Sequence, residues 1–252
     1  MLRVTVVTIF PEYFRDPLAI SIMGRAAAAG AVSYRIVDLR DYTHDRHRTV
    51  DDAPYGGGAG MVMTPGPFFE AVEALGVAPP IVLLSARGPH FTHADAMRYS
   101  SGDELTILCG HYKDVDQRVA DHLATEERSI GPFVLSGGEP AALAVIDATV
   151  RLLPGAMSDP ESARGDSFYD RGLSAPSYTR PPEYRGYPVP EVLLSGDHRR
   201  IAEWRRVEGE RLTQAREADV AGAGGATSAS RSAPQADGGA SDDGSERVER
   251  TR

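Results

Sequence analysis

Two hydrophobic spacings alternate along the chain. Short apolar runs rich in β-branched residues occur at 3–9 (RVTVVTI), 32–38 (VSYRIVD), 81–85 (IVLLS), 104–109 (ELTILC) and 133–136 (FVLS). Runs of this length and composition predict buried strands. Between them lie stretches that predict helices: 18–29 (LAISIMGRAAAA, ended by Gly30), 65–75 opening at Pro65, FTHADAMRYS with Thr92 as N-cap, VDQRVADHL, and 138–153 stopped by Pro154-Gly155. Strands alternating with helices predict an α/β domain, residues 1–157, with a mainly parallel sheet. Residues 158–190, rich in Pro, Gly, Ser and Tyr, read as irregular, with 158–175 as the interdomain linker. Residues 176–218 predict a small helical domain, built on a charged helix at 197–217 with Ile201, Trp204 and Leu212 on one side. From 219 onward periodicity fades, and the Ala, Gly, Ser, Asp and Arg composition predicts a disordered tail.

Composition narrows this picture in three ways. The single cysteine, Cys109, excludes an internal disulfide and a multi-cysteine metal site. No secretory signal opens the chain, and no apolar run reaches the roughly 18 residues that span a membrane, so a soluble cytoplasmic protein without membrane contact is expected. The net charge is −9, which does not advertise nucleic-acid binding, yet 26 arginines stand against one lysine, Lys113. Arginine excess fits a GC-rich coding sequence or contacts with phosphates and bases, and composition leaves both open.

Candidate chemistry collects in loops. The stretch THDRHRTVDDAPYGGGAGM (43–61) carries two histidines, three aspartates and four glycines. Its GGGAG fits neither a dinucleotide-binding fingerprint nor a phosphate loop. His44 and His47, beside Asp51 and Asp52, could hold a metal, but three-residue spacing converges only on a helix, and polar groups bonded to one another or to a ligand are the simpler reading. The ends of three predicted strands, in LLSARG (83–88), ILCGHYKDVD (107–116) and FVLSGGE (133–139), carry small residues. Ligands bind at the carboxyl edge of parallel sheets, and Gly137 and Gly138 open the backbone to close approach.

THDRHRTVDDAPYGGGAGM, LCGHY, SIGPFVLSGGE, DSF, SYTRP and VLLSGDH, in this order over residues 1 to about 206, resemble the bacterial tRNA (guanine-N1)-methyltransferase family. The resemblance implies the SPOUT methyltransferase fold: an α/β sheet with a deep C-terminal trefoil knot, followed by a small, mainly helical domain. It implies methyl transfer from S-adenosylmethionine, leaving S-adenosylhomocysteine, to N1 of the guanine just 3′ of the tRNA anticodon. It further implies a homodimer with the active site at the subunit interface and the anticodon stem-loop as partner. By resemblance, Asp166 and Arg151 are catalytic, with Asp166 delivered from the linker to the neighbouring chain's pocket. Leu84, Ser85, Gly110, Tyr112, Ile130, Gly131, Pro132, Phe133, Val134, Leu135, Gly137 and Gly138 fall on cofactor-binding positions. His47 and Asp51 fall near the target guanines. Magnesium is a further candidate ion with no site assigned, and no residue is assigned to metal.

The chain departs from the family pattern in places. His111 and Lys113 stand where arginine and glutamate are commoner, Pro140 lies one place early, and an Arg-Pro-acid-Leu segment is missing after Arg206. Arginines between 180 and 211 are expected to gather on one face of the C-terminal domain. Two other functions remain to be weighed: an RNA-binding protein of this fold without catalysis, and a metal-dependent hydrolase built on His44, His47 and Asp51.

Overall fold

The computed structural model describes residues 1–157, 165–169 and 172–226, with residues 221–226 described by backbone alone. The chain divides into two compact units, Met1–Ser174 and Ala175–Arg252.

In the first unit, β1 (Leu2–Thr8), β2 (Val32–Asp38), β5 (Ile81–Leu84), β6 (Glu104–Cys109) and β8 (Glu126–Arg128) form one sheet in the order β2-β1-β6-β5-β8. All four pairings are parallel. A parallel sheet is covered on both faces, so its strands read as continuous apolar runs rather than alternating ones. β1, β5 and β6 obey this: Val4, Val6, Val82, Ile107 and Cys109 face one core and Val7, Ile81, Leu83 and Leu108 the other. Helices α1 (Arg15–Ala19), α2 (Ser21–Ala28), α4 (His93–Ser100) and α6 (Glu139–Val150) contribute to the first core. α3 (Pro65–Leu75) and α5 (Gln117–His122) contribute to the second. α6 buries Ala141, Ala142, Val145, Ile146, Thr149 and Val150, and each buried Val or Ile contributes about 1.5–3 kcal/mol.

Three expectations need correction. The predicted helix over 18–29 is two helices, because Ile20 turns to an extended conformation between them. The apolar run 133–136 is not a strand; the strand at that stage of the chain is β8, whose Glu-Glu-Arg sequence carries no apolar signal. Phe133, Val134 and Leu135 are instead exposed, Val134 to 90%. The stretch 43–61 is not wholly irregular: β3 (Asp51–Asp52) pairs antiparallel with β4 (Val62–Met63), and β4 pairs parallel with β7 (Asp114–Val115). Thr92 does cap α4, in a reciprocal capping box with Asp95.

In the second unit, β9 (Glu183–Tyr184) and β10 (Tyr187–Pro188) form a hairpin, followed by α7 (Glu191–Leu194) and α8 (His198–Ala226). Ile201, Trp204 and Leu212 lie half-buried along α8, and the Trp204 ring packs 6.3 Å from that of Tyr178. α8 continues past Asp219 to Ala226, although Gly222, Gly224 and Gly225 disfavour a helix there; the rest of the predicted tail, 227–252, lies outside the described residues. The arginines of α8 do not share a face. At about 100° per residue, Arg199, Arg200, Arg205, Arg206 and Arg211 fall on all sides. Arg206 pairs with Glu203 and Glu210, and Arg211 with Glu208, at the spacings that favour pairing along one helix. Among the described residues, no helix is long and apolar enough to cross a membrane.

Candidate active site

One cleft, of about 180 Å³, opens at the carboxyl edge of the sheet in the first unit. Its walls are the ends of β5 and β6 and the segment from Arg128 to Gly138 that leads into α6. Leu84, Ser85, Gly110, Tyr112, Ile130, Gly131, Phe133, Val134, Leu135, Gly137 and Gly138 all line it. Of the sequence-predicted cofactor positions, only Pro132 does not.

Local chemistry explains the shape. β8 lies at the sheet's edge, yet the chain that leaves it returns past β5 to the end of β6, where the Gly138 N–H donates to the Gly110 carbonyl at 2.8 Å. A Cβ on Gly138 would lie 2.9 Å from the Cys109 Cα, so only glycine permits this approach. Ser129 braces the wall: its hydroxyl is 3.1 Å from the Gly131 carbonyl and 3.2 Å from the Gly131 N–H. Tyr112 turns the corner after β6 in a left-handed conformation, φ +60°, that few non-glycine residues adopt. At the mouth, Arg87 grips the Asp114 carboxylate with both guanidinium nitrogens, at 2.6 and 3.2 Å. Lys113 abuts Gly58 and Gly60 of the glycine-rich hairpin, and its N–H donates to the Met61 carbonyl at 3.0 Å.

An ion network behind the wall holds β8. Glu126 accepts both Arg98 nitrogens, at 2.7 and 2.8 Å, and lies 2.7 Å from Arg128. Burial pushes the Glu126 carboxyl up, but the Arg98 hydrogen bonds and charge, the Tyr99 hydroxyl and Arg128 together hold it below the ordinary carboxylate range. Tyr99 is pushed up to about 12 by burial and by the Glu126 charge.

Other predicted residues lie elsewhere. Arg151 caps the far end of α6 and donates to the Asp166 carboxylate at 2.5 Å. Both are half-buried. Ser167 steadies that loop by accepting the Ser174 N–H at 3.0 Å. From Gly138 to Arg151 the helix rises about 20 Å, so the pair lies far from this chain's own cleft. His47 and Asp51 also lie off the cleft wall. Asp51 sits across β4 from Val115, about 10 Å away at two strand spacings. His44 turns to Glu70 at 2.7 Å, and Asp45 accepts the backbone N–H groups of His47 and Thr49. Those turns hold the loop, and their hydrogen bonds, led by Thr49, draw the Asp45 carboxyl down. Among the described residues, no three His, Cys, Asp or Glu side chains converge as metal ligands would.

Residues 2–223 match the family model described as tRNA (Guanine-1)-methyltransferase TrmD. The chain belongs to the tRNA (guanine-1)-methyltransferase family. Similar family members include a tRNA (guanine-N(1)-)-methyltransferase of Gloeobacter violaceus, 50% identical over 222 residues, 86% of this chain and 96% of the relative. One from Dehalococcoides mccartyi (strain ATCC BAA-2266 / KCTC 15142 / 195) is 48% identical over 223 residues, covering 87% and 90%. Another, from Geobacillus kaustophilus, is 44% identical over 222 residues, covering 87% and 91%.

Sequence reasoning did not pair His111, which lines the cleft, with the buried Glu139 3.8 Å from its ring. They belong to different elements and share no periodicity. The one available signal was that His111 departs from the family's usual arginine.

Proposed function

We propose that this protein methylates N1 of the guanine just 3′ of the anticodon in tRNA, as a homodimer whose active sites each combine two chains. Membership of the family supports the reaction. The observation that carries the two-chain site is the length of α6: the cleft is at one end and the Arg151–Asp166 pair at the other, about 20 Å apart. No arginine side chain spans that distance, which supports a site in which one chain's pair serves another chain's cleft.

The residues of the cleft fit S-adenosylmethionine. Exposed backbone at Gly110, Gly131 and Gly137 offers donors and acceptors, and Leu84, Ile130, Leu135 and Ala141 offer an apolar bed for a purine. When bound, this cofactor supplies the methyl group and leaves as S-adenosylhomocysteine. Phe133, Val134 and Tyr112, exposed at the rim, are assigned to the partner subunit and the target base. The path from β8 across the end of β5 to Gly138 supports the deep trefoil knot. Such a wall is partly pre-formed by the Gly138–Gly110 and Ser129–Gly131 hydrogen bonds, which lowers the ordering entropy that binding must overcome.

N1 of neutral guanine carries a proton and attacks poorly until it is removed. Asp166 takes that proton, a step worth about 10²–10⁴ in rate. Arg151 orients the carboxylate through their hydrogen bond and meets the negative charge that moves to the guanine O6. Alignment of donor and acceptor contributes up to about 7–11 kcal/mol. His47 and Asp51, with the Gly56–Gly60 hairpin, are assigned to the splayed anticodon-loop guanines, whose edges single-stranded RNA leaves readable. Residues 158–175 act as linker and 176–218 as the small helical domain in this reading. Magnesium acts on the RNA or the reaction at no assigned site.

The test is incubation of unmodified tRNA with labelled S-adenosylmethionine, followed by mass-spectrometric mapping. A methyl on N1 of that guanine is expected. Binding of S-adenosylhomocysteine without any methyl on the tRNA would leave the non-catalytic RNA-binding reading in its place.

A further inference from the structure

Beside the cleft lies a buried polar cluster that this reaction does not use. Thr8 ends β1, Cys109 ends β6 and Glu139 opens α6, and through Glu139 they reach His111, which lines the cleft. Glu139 is only 2% exposed. Its Oε1 accepts the Thr8 hydroxyl at 2.7 Å, and the N-terminus of α6 favours a negative charge there. The buried Cys109 thiol is pushed up by burial and by the Glu139 charge. Oε2 faces the other way, 3.8 Å from His111 Nδ1, which is beyond hydrogen-bond reach. That nitrogen is buried and has no hydrogen-bond partner, a condition that native interiors seldom tolerate without a reason.

The imidazole is well held otherwise. The rings of Phe10 and Tyr112 meet it edge-on at 5.0 and 5.2 Å, and the His111 backbone N–H anchors the residue by donating to Met63 Sδ at 3.1 Å. His111 also bridges to Gly137 on the returning segment. A Cβ on Gly137 would strike both His111 Nδ1 and Glu139 Oε2. The two polar groups therefore straddle the glycine where the cleft wall crosses β6.

We propose that His111 and Glu139 form a latch across Gly137 that closes when the cofactor binds. In the closed form Nδ1–H donates to Oε2, and the wall from Ile130 to Gly137 is drawn onto β6. Closure satisfies a buried donor that otherwise has no partner, so latch and cofactor stabilise one another. His111 is a positioning residue: it touches the wall and the carboxylate, not the reacting atoms.

This rests on the cleft being the cofactor site, and the experiment separates the two. S-adenosylhomocysteine is titrated calorimetrically into the full-length protein and its His111→Ala, His111→Asn and Glu139→Gln variants, with steady-state kinetics alongside. His111→Ala and Glu139→Gln should each weaken binding by about 10- to 100-fold, the range for a hydrogen bond to a charged group. KM for the methyl donor should rise in step and kcat should change much less. His111→Asn, whose amide nitrogen can stand in for Nδ1, should recover most of the loss. The double variant should bind no worse than the weaker single one. If the wild type does not bind, the cofactor site and the latch fall together. If it binds and His111→Ala binds equally well, or His111→Asn is no better than His111→Ala, the latch alone is overturned. Should His111→Ala not fold, Glu139→Gln and His111→Asn decide the matter by the same criteria.

Discussion

At the N-terminal end of α6, Gly137 and Gly138 bring backbone against Cys109 and Gly110; at its C-terminal end, Arg151 reaches a carboxylate on the loop beyond. The first end is shaped by what its residues lack, since any Cβ at 138 would overlap the neighbouring strand. The second is defined by charge on two long-range partners. An end built from backbone tolerates exchange of exposed side chains but no added atom. An end built from charge tolerates small shifts of position but no loss of the ionisable group. One helix of twelve residues holds these two parts apart, and that separation is the basis of the proposed two-chain site.

The sharpest way to break this comparison is at the charged end. Asp166→Ala should lower kcat by about 10²–10⁴, while S-adenosylhomocysteine affinity, measured by calorimetry, stays within about twofold because the carboxylate acts on the guanine and not on the cofactor. A large loss of affinity would mean the two ends are not independent. At the other end, Gly138→Ala puts its Cβ 2.9 Å from the Cys109 Cα. Overpacking against backbone typically costs about 1–3 kcal/mol, so affinity should fall by roughly 5- to 150-fold. Affinity unchanged in that variant would show that the crossing at Gly110 does not shape the cleft.

Mixing these two impaired proteins, at a cofactor concentration too low to fill the Gly138→Ala cleft, sharpens the comparison further. In a closed two-fold dimer, random exchange leaves about a quarter of the sites with an intact cleft and an intact Asp166. Activity should return to about that level after co-refolding or co-expression. A mixture as inactive as its parents would place cleft and carboxylate in the same chain.

Legibility differed along the same lines. The sheet could be read because VTVV, IVLL and LTILC are buried on both faces, and apolar composition reports that directly. α4 could be read because Thr92 and Asp95 satisfy each other's backbone donors at the right spacing. β8 could not, because Glu126 and Arg128 are anchored by ion pairs with α4 residues and not by apolar burial. FVLS misled in the opposite direction: its apolar side chains face outward at a rim, so hydrophobicity there reports a surface and not a core. The cleft positions came from family motifs, since glycine turns alone do not say which three strand ends converge. His111 and Glu139 meet only because the chain passes back across β5.

The smallest effect, and the one that tests how the cleft's outer wall is held, concerns Glu126. Its carboxyl lies below the ordinary range because Arg98, Tyr99 and Arg128 together outweigh burial. A folded-state pKa that is depressed adds stability above the unfolded pKa, and that stability is lost as pH falls through the folded value. Arg98 is about half exposed, so solvent screening limits the gain to about 1 kcal/mol. Glu126→Gln should therefore lower Tm by about 2–4 °C at pH 7, and the gap from wild type should narrow as pH drops below the ordinary glutamate value of 4.5. Because Glu126 holds β8 and not the cofactor, S-adenosylhomocysteine affinity should fall by less than it does in Gly138→Ala. A gap in Tm that widens on acidification would mean the carboxyl is destabilised by its burial, and the wall would owe its position to packing rather than to charge.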